Sequence, residues 1–157
     1  MHLVIGATAT IAILNIAIIF GTDVLAAIVL RPVYAGVDDR TLVQVVGRGH
    51  YYGDKRLPIV GILGVVLTVV TAALSFVWGT VLTGTLATLA LVLLLVWLML
   101  FARISAPINK TLTAAAFSDD VPAEARTLQD RWESIIVLRA VLQGLAVLLL
   151  CATIVLV

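Results

Sequence analysis

Few residues in this chain can do chemistry, and the most telling of them lie inside long apolar runs. Arg139 and Gln143 sit within the last such run, which opens near Trp132 and continues to Val157. At 100° per residue, Trp132, Ile136, Arg139 and Gln143 share one helical stripe, because spacings of four, three and four return to one face. An unpaired guanidinium in lipid costs at least a few kcal/mol, so this stripe must face protein or water. The first apolar run supplies a counter-charge. Asp23 lies eight residues before Arg31, roughly 12 Å up that run at helical rise. Arg139 lies at a similar depth above Trp132, counted from the same end. Opposite charges at matching depth, each costly alone, are natural partners. Asn15 and Gln143 sit deeper and can join them by hydrogen bonds. Two outcomes are open: an ion pair that fixes the packing of the first and last helices, or a polar pocket with Asp23 and Arg139 on its wall.

The polar segments add candidates near the mouth of such a pocket. His50 can accept a proton, although a lone loop histidine is commonly just solvated. Tyr51, Tyr52, Tyr34 and Trp132 can stack on a flat ligand, or form the aromatic belt that membrane proteins show at the interface. Asn109, just after Pro107, can bond a ligand carbonyl or cap a helix end. If the chain catalyses a reaction, Arg139 would balance the charge of an oxyanion and His50 or Asp23 would be the base. An Asp23 already paired to arginine would be a weak base. The sequence shows no metal-ligand set, no Ser/His/Asp arrangement, no Cys/His pair and no phosphate loop. No cofactor is expected. The single Cys151 excludes an internal disulfide and reads as a buried, inert thiol.

The elements that position these residues follow from composition. Hydrophobic residues make up 62% of the 157 and charged residues 12%, against about 45–50% and 25% in soluble domains. Mean hydropathy is +1.20. Such a chain belongs in a bilayer, and a net charge of +1 argues against nucleic acid as a partner. Four spans are expected in a single domain, at about 3–30, 57–78, 83–103 and 133–157. The first is too long for the apolar core of a signal peptide and lacks a basic leader, so it reads as a retained helix. Arg31-Pro32 is expected to end it. Asp38 or Asp39 can cap a short helix carrying Leu42, Val45 and Val46, and Gly47 to Asp54 reads as irregular. Pro58 suits a first helical turn. Thr83 or Thr85 would start the third span and Arg103 end it. Thr111 to Phe117 reads as a short helix, broken at Ser118–Pro122. Ser118 or an Asp can cap the next, which should run from Ala123 unbroken into the fourth span. The fold class is therefore all-α: a membrane-spanning four-helix bundle with two long loops carrying short helices. All ten Lys and Arg residues lie in those loops or at the span ends facing them. The positive-inside rule then places both loops in the cytoplasm and both termini on the opposite side.

Three stretches together resemble a known family. Arg31-Pro32-Val33-Tyr34-Ala35-Gly36-Val37-Asp38-Asp39 closes the first span. Pro107-Ile108-Asn109-Lys110-Thr111-Leu112 follows the third. Arg131-Trp132-Glu133 then precedes Arg139 by seven residues from the tryptophan. This pattern is similar to the anthrone-oxygenase-like family of small four-helix membrane proteins. The resemblance covers almost the whole chain. It implies a four-helix bundle and, for some members, oxidation of polycyclic anthrones by dioxygen without a recognised metal or flavin. Asn109, Trp132 and Arg139 match the family's asparagine, tryptophan and arginine. One departure matters: where the family often carries histidine three residues before the arginine, this chain has Ile136. If that histidine is the base, His50 is the residue left to replace it.

Two functions are therefore expected to compete. One is a non-catalytic membrane protein that binds a lipophilic aromatic or quinone-like molecule, or that serves as an accessory subunit of a homo-oligomer or larger complex. The other is cofactor-independent oxidation of a flat phenolic or quinone-like substrate. A small transporter is a weaker third, since no discontinuous helix is evident.

Overall fold

In lipid every backbone polar group must be satisfied within the segment, so apolar runs of this length become helices. The computed structural model, which describes residues 1–157, is built from four of them: α1 (His2–Ala35), α2 (Asp39–Trp78), α3 (Val81–Ser118) and α4 (Ala125–Leu156). All four are long and apolar enough to cross a membrane, and the chain is an all-α, multi-pass membrane protein. Each helix packs on its neighbours in sequence, and α1 closes the ring against α4. A tight turn at Gly79-Thr80 joins α2 to α3. Its Thr80 hydroxyl accepts from the Thr83 amide, while Thr83 Oγ1 accepts from the Thr80 amide, so α3 begins at Val81 rather than at Thr83 or Thr85.

The helices are far longer than the expected spans. At 1.5 Å per residue the 40 residues of α2 extend about 60 Å, twice the hydrocarbon thickness. What read as two loops is mostly helix. Gly47 to Asp54 lies inside α2, Pro58 sits in its interior, Arg103 does not end α3, and Thr111 to Phe117 continues that helix. The connections shrink to residues 36–38 and 119–124. Asp38 caps α2 by accepting from the Thr41 amide and hydroxyl. Leu42 and Val46 are buried while Val45 points outward. α4 starts after Glu124 with no side-chain cap, so neither Ser118 nor an aspartate caps it, and Pro122 lies outside it. A turn at Ser134–Ile135 interrupts it.

The prolines explain why α1 and α3 were expected to stop and do not. Pro32 and Pro107 each lack a donor and crowd the carbonyl four residues back. In both cases the helix widens into a π-turn just before the proline, over Ala26–Leu30 and Phe101–Ser105. The Arg31 amide bonds the Ala26 carbonyl, and the Ala106 amide bonds that of Phe101. The wider turn carries the chain past the proline without ending the helix.

Two cores result. Within the membrane half, Ala12, Ile16, Ala72, Ala87, Ala90, Leu94, Ala146 and Leu150 form one cluster. At the charged end, Leu42, Val43, Val46, Ile108, Leu112, Ala115, Ala116 and Ala125 form another. This second cluster is the centre of a helical cap.

Candidate functional site

The joint between the two cores gathers the polar side chains. Asp23 comes from α1, His50 and Asp54 from α2, Ser105 and Asn109 from α3, and Trp132, Arg139 and Gln143 from α4. Helical spacing dictates this placement. Val43, Val46, His50 and Asp54 follow one another at three and four residues, the inward stripe of α2. Ser105 and Asn109 are four apart on α3 and both are buried.

Arg139 is the hub. Its Nη2 donates to Asp23 Oδ1 at 2.9 Å and its Nη1 to Ser105 Oγ at 2.8 Å. Gln143 Nε2 donates to Asp23 Oδ2 at 2.6 Å and back to the Arg139 carbonyl at 3.0 Å. Asp23 and Arg139 are 3% and 4% exposed. A lone ion here would be costly, so the pairing and these hydrogen bonds are what make the arrangement tolerable. The guanidinium carbon also lies 5.5 Å from the Trp132 ring centre and 5.6 Å from that of Phe101, within cation–π range. His50 reaches the cluster through Trp132, their ring centres being 5.4 Å apart. Beside it, Asn109 Nδ2 donates to Asp54 Oδ1 at 2.9 Å.

Several buried polar atoms here have no partner within the protein: His50 Nε2, Asn109 Oδ1, Trp132 Nε1, Arg139 Nε and Gln143 Oε1. They are donors and acceptors together, converging from three helices. Buried polar atoms are usually satisfied by protein or water, and each that is not costs about 1–3 kcal/mol. The void that touches Gln143 and Trp97, lined otherwise by Ile16, Ile19, Gly61, Val65 and Leu94, measures about 10 Å³, roughly one water molecule.

Not every expected residue arrives. Asn15 is half-buried but donates to the carbonyl of Ile11 in its own helix, at 2.8 Å, and stays out of the cluster. Tyr51 and Tyr52 face away from it. Tyr51 packs on Phe117 with ring centres 4.8 Å apart, and Tyr52 is exposed. Cys151 is exposed on the apolar half rather than buried. Conversely, Ser105, Asp54, Phe101 and Trp97 belong to the site and were not foreseen. Ser105 precedes Asn109 by one turn and Asp54 follows His50 by one turn. Both signals are plain once the helices are allowed to run through the polar segments. No group of His, Cys, Asp and Glu is placed to hold a metal ion.

Compared with profiles of known protein families, with curated proteins and with solved structures, the chain finds no match.

Proposed function

We propose that this multi-pass membrane protein binds a lipophilic small molecule carrying a carbonyl or phenol at the Arg139 joint. Following the charge asymmetry, the capped end faces the cytoplasm. The observation that carries the reading is the convergence of unpartnered buried donors and acceptors around an already neutralised ion pair. A ligand oxygen would accept from the Trp132 indole, the His50 ring or Arg139 Nε, and a ligand hydroxyl would donate to Asn109 or Gln143. The aromatic rings of Trp132 and Phe101 offer a flat molecule stacking surfaces. Since the adjoining void is small, entry requires the cap helices to part slightly from the bundle.

Fluorescence tests this directly, because Trp97 and Trp132 lie at the joint and Trp78 at the opposite end of α2. Adding 1,4-naphthoquinone to the purified protein in detergent should quench emission saturably. His50→Phe and Asn109→Ala should weaken the saturable part. Linear, collisional quenching that is identical in all variants overturns the proposal.

A second reading, anthrone-oxygenase-like catalysis, is favoured by one observation. His50 packs on the same tryptophan that covers Arg139, although Ile136 stands where the family often has its histidine. In this reading His50 takes a proton from the CH₂ opposite the anthrone carbonyl. Arg139 lies beside the enolate oxygen, and dioxygen converts the CH₂ to a carbonyl with release of water. Oxygen uptake with anthrone should then exceed that of buffer and fall to the buffer rate in His50→Phe. Uptake equal to buffer in the parent protein removes this reading and leaves binding.

A further inference from the structure

The outer surface of the joint carries a second chemistry. Ten cations and nine anions nearly balance over the chain, but they are not evenly paired. Arg31, Arg40, Arg126 and Arg139 form ion pairs with Glu133, Asp119, Asp39 and Asp23. The other six form none and all are exposed; Arg48 and Arg131 sit toward the tip, which leaves Lys55, Arg56, Arg103 and Lys110. The Asp54–Asn109 hydrogen bond sets their level. Lys55 and Lys110 are the next residues on α2 and α3, so they flank the seam between these helices at one height. Arg56 adjoins Lys55, and Arg103 lies seven residues before Lys110, within the wide turn of α3. The carboxylate at this height, Asp54, accepts from Asn109 and forms no ion pair with these cations. Asp119, the nearest along α3, is about 14 Å further toward the tip and is held by Arg40.

The seam also lies where the apolar surface begins. Past Lys55 and Arg56, α2 exposes Ile59, Ile62 and Leu63. Before Arg103, α3 exposes Leu95, Leu98 and Met99. Two of the cations are held at aromatic faces: Lys55 Nζ lies 4.0 Å from the Tyr51 ring centre and the Arg56 guanidinium 5.0 Å from that of Tyr52. Cations above exposed apolar side chains match one molecule, a phosphate headgroup with two acyl chains.

We propose that the α2–α3 seam is a binding site for an anionic phospholipid, its phosphate between Lys55 and Lys110 and its chains on the apolar faces below. Cations near an anionic headgroup surface each contribute about fivefold in affinity. The purified chain in mild detergent, offered equal amounts of phosphatidylglycerol and phosphatidylcholine with matched acyl chains, should retain phosphatidylglycerol preferentially in native mass spectra. Lys55→Gln with Lys110→Gln should erase most of that preference, and Lys55→Arg with Lys110→Arg should keep it. Equal retention of both lipids by the parent chain overturns the site, as does undiminished preference in the glutamine variant. If the glutamine variant does not fold, the parent chain decides through salt: at about 1 M, where charges are screened beyond about 3 Å, the preference should vanish, and its persistence overturns the site. Excess inorganic phosphate should not displace the lipid; displacement would reassign the seam to a soluble phosphate compound.

Discussion

The membrane half and the cap are built from the same four helices but held by different means. In the membrane core five of the eight clustered residues are alanine, and Thr68, Thr71, Ser75, Thr83 and Thr153 are buried around them. In the cap three of the eight are alanine and the rest are Leu42, Val43, Val46, Ile108 and Leu112, ringed by exposed ion pairs. Lipid chains are as apolar as leucine, so burying leucine between helices gains little, and close approach of small residues takes its place. In water each buried branched side chain contributes about 1.5–3 kcal/mol, and bulk is favoured. The exposed pairs around the cap add little. The solvent on each side of the joint, not the helices themselves, selects the packing.

The joint itself belongs to neither scheme, and breaking it should have the largest effect. Asp23→Leu or Arg139→Leu alone should destabilise the protein by about 3–5 kcal/mol, because each strands a buried charge. The double variant should recover part of this loss in detergent unfolding. Singles and double that are equally damaged would mean the pair does not act as a unit. Next in size is a direct contrast of the two cores. Leu112→Ala in the cap should cost about 2–5 kcal/mol through lost burial and a cavity. Leu150→Ala in the membrane core should cost clearly less, since only packing is lost. Matched losses would dissolve the distinction drawn above.

Smaller still is a test of helix approach. A Cβ on Gly47 would stand 2.2 Å from the Leu112 carbonyl oxygen and 2.6 Å from Ala116 Cβ, so Gly47→Ala should force α2 from α3 and cost about 1–3 kcal/mol. Gly6→Ala meets nothing within 4 Å and should be neutral or slightly stabilising. The smallest effect is at Asp38, whose carboxyl is held below its usual range by the Thr41 hydroxyl and amide. A depressed folded-state value means that this cap stabilises above the ordinary carboxylate range and is lost as pH falls through the depressed one. Asp38→Ala should therefore lower the melting temperature slightly at pH 7 and match the parent in strong acid.

The four spans and the matched depth of Asp23 and Arg139 were legible because apolar run length and helical rise are strong, local signals. The cap was not, because its helices are amphipathic, polar on one side and interrupted by glycine and proline. Pro32 and Pro107 read as stops, since nothing in a single sequence announces the π-turns that carry the helices past them. Reading the polar segments as loops hid Ser105 and Asp54 and the shared faces of His50 and Asn109. With the α2 polar segment taken as irregular, His50 and Asp54 had no shared face, and with α3 ended at Arg103, Ser105 and Asn109 had none either. Asn15 failed for a different reason: its amide found a carbonyl one turn back in its own helix, a competitor that spacing between helices does not reveal.

The π-turns have one more consequence. Each adds one residue to a helical turn, so each rotates everything beyond it by about 100° relative to an uninterrupted α-helix. They act as fixed angular offsets between bundle and cap. Wound as an uninterrupted α-helix through Phe101–Ser105, the same residues would swing Asn109 away from Asp54 and bring Ile108 round in its place. In this protein the count of residues in two five-residue stretches decides which side chains look inward at the joint and which look out at the membrane.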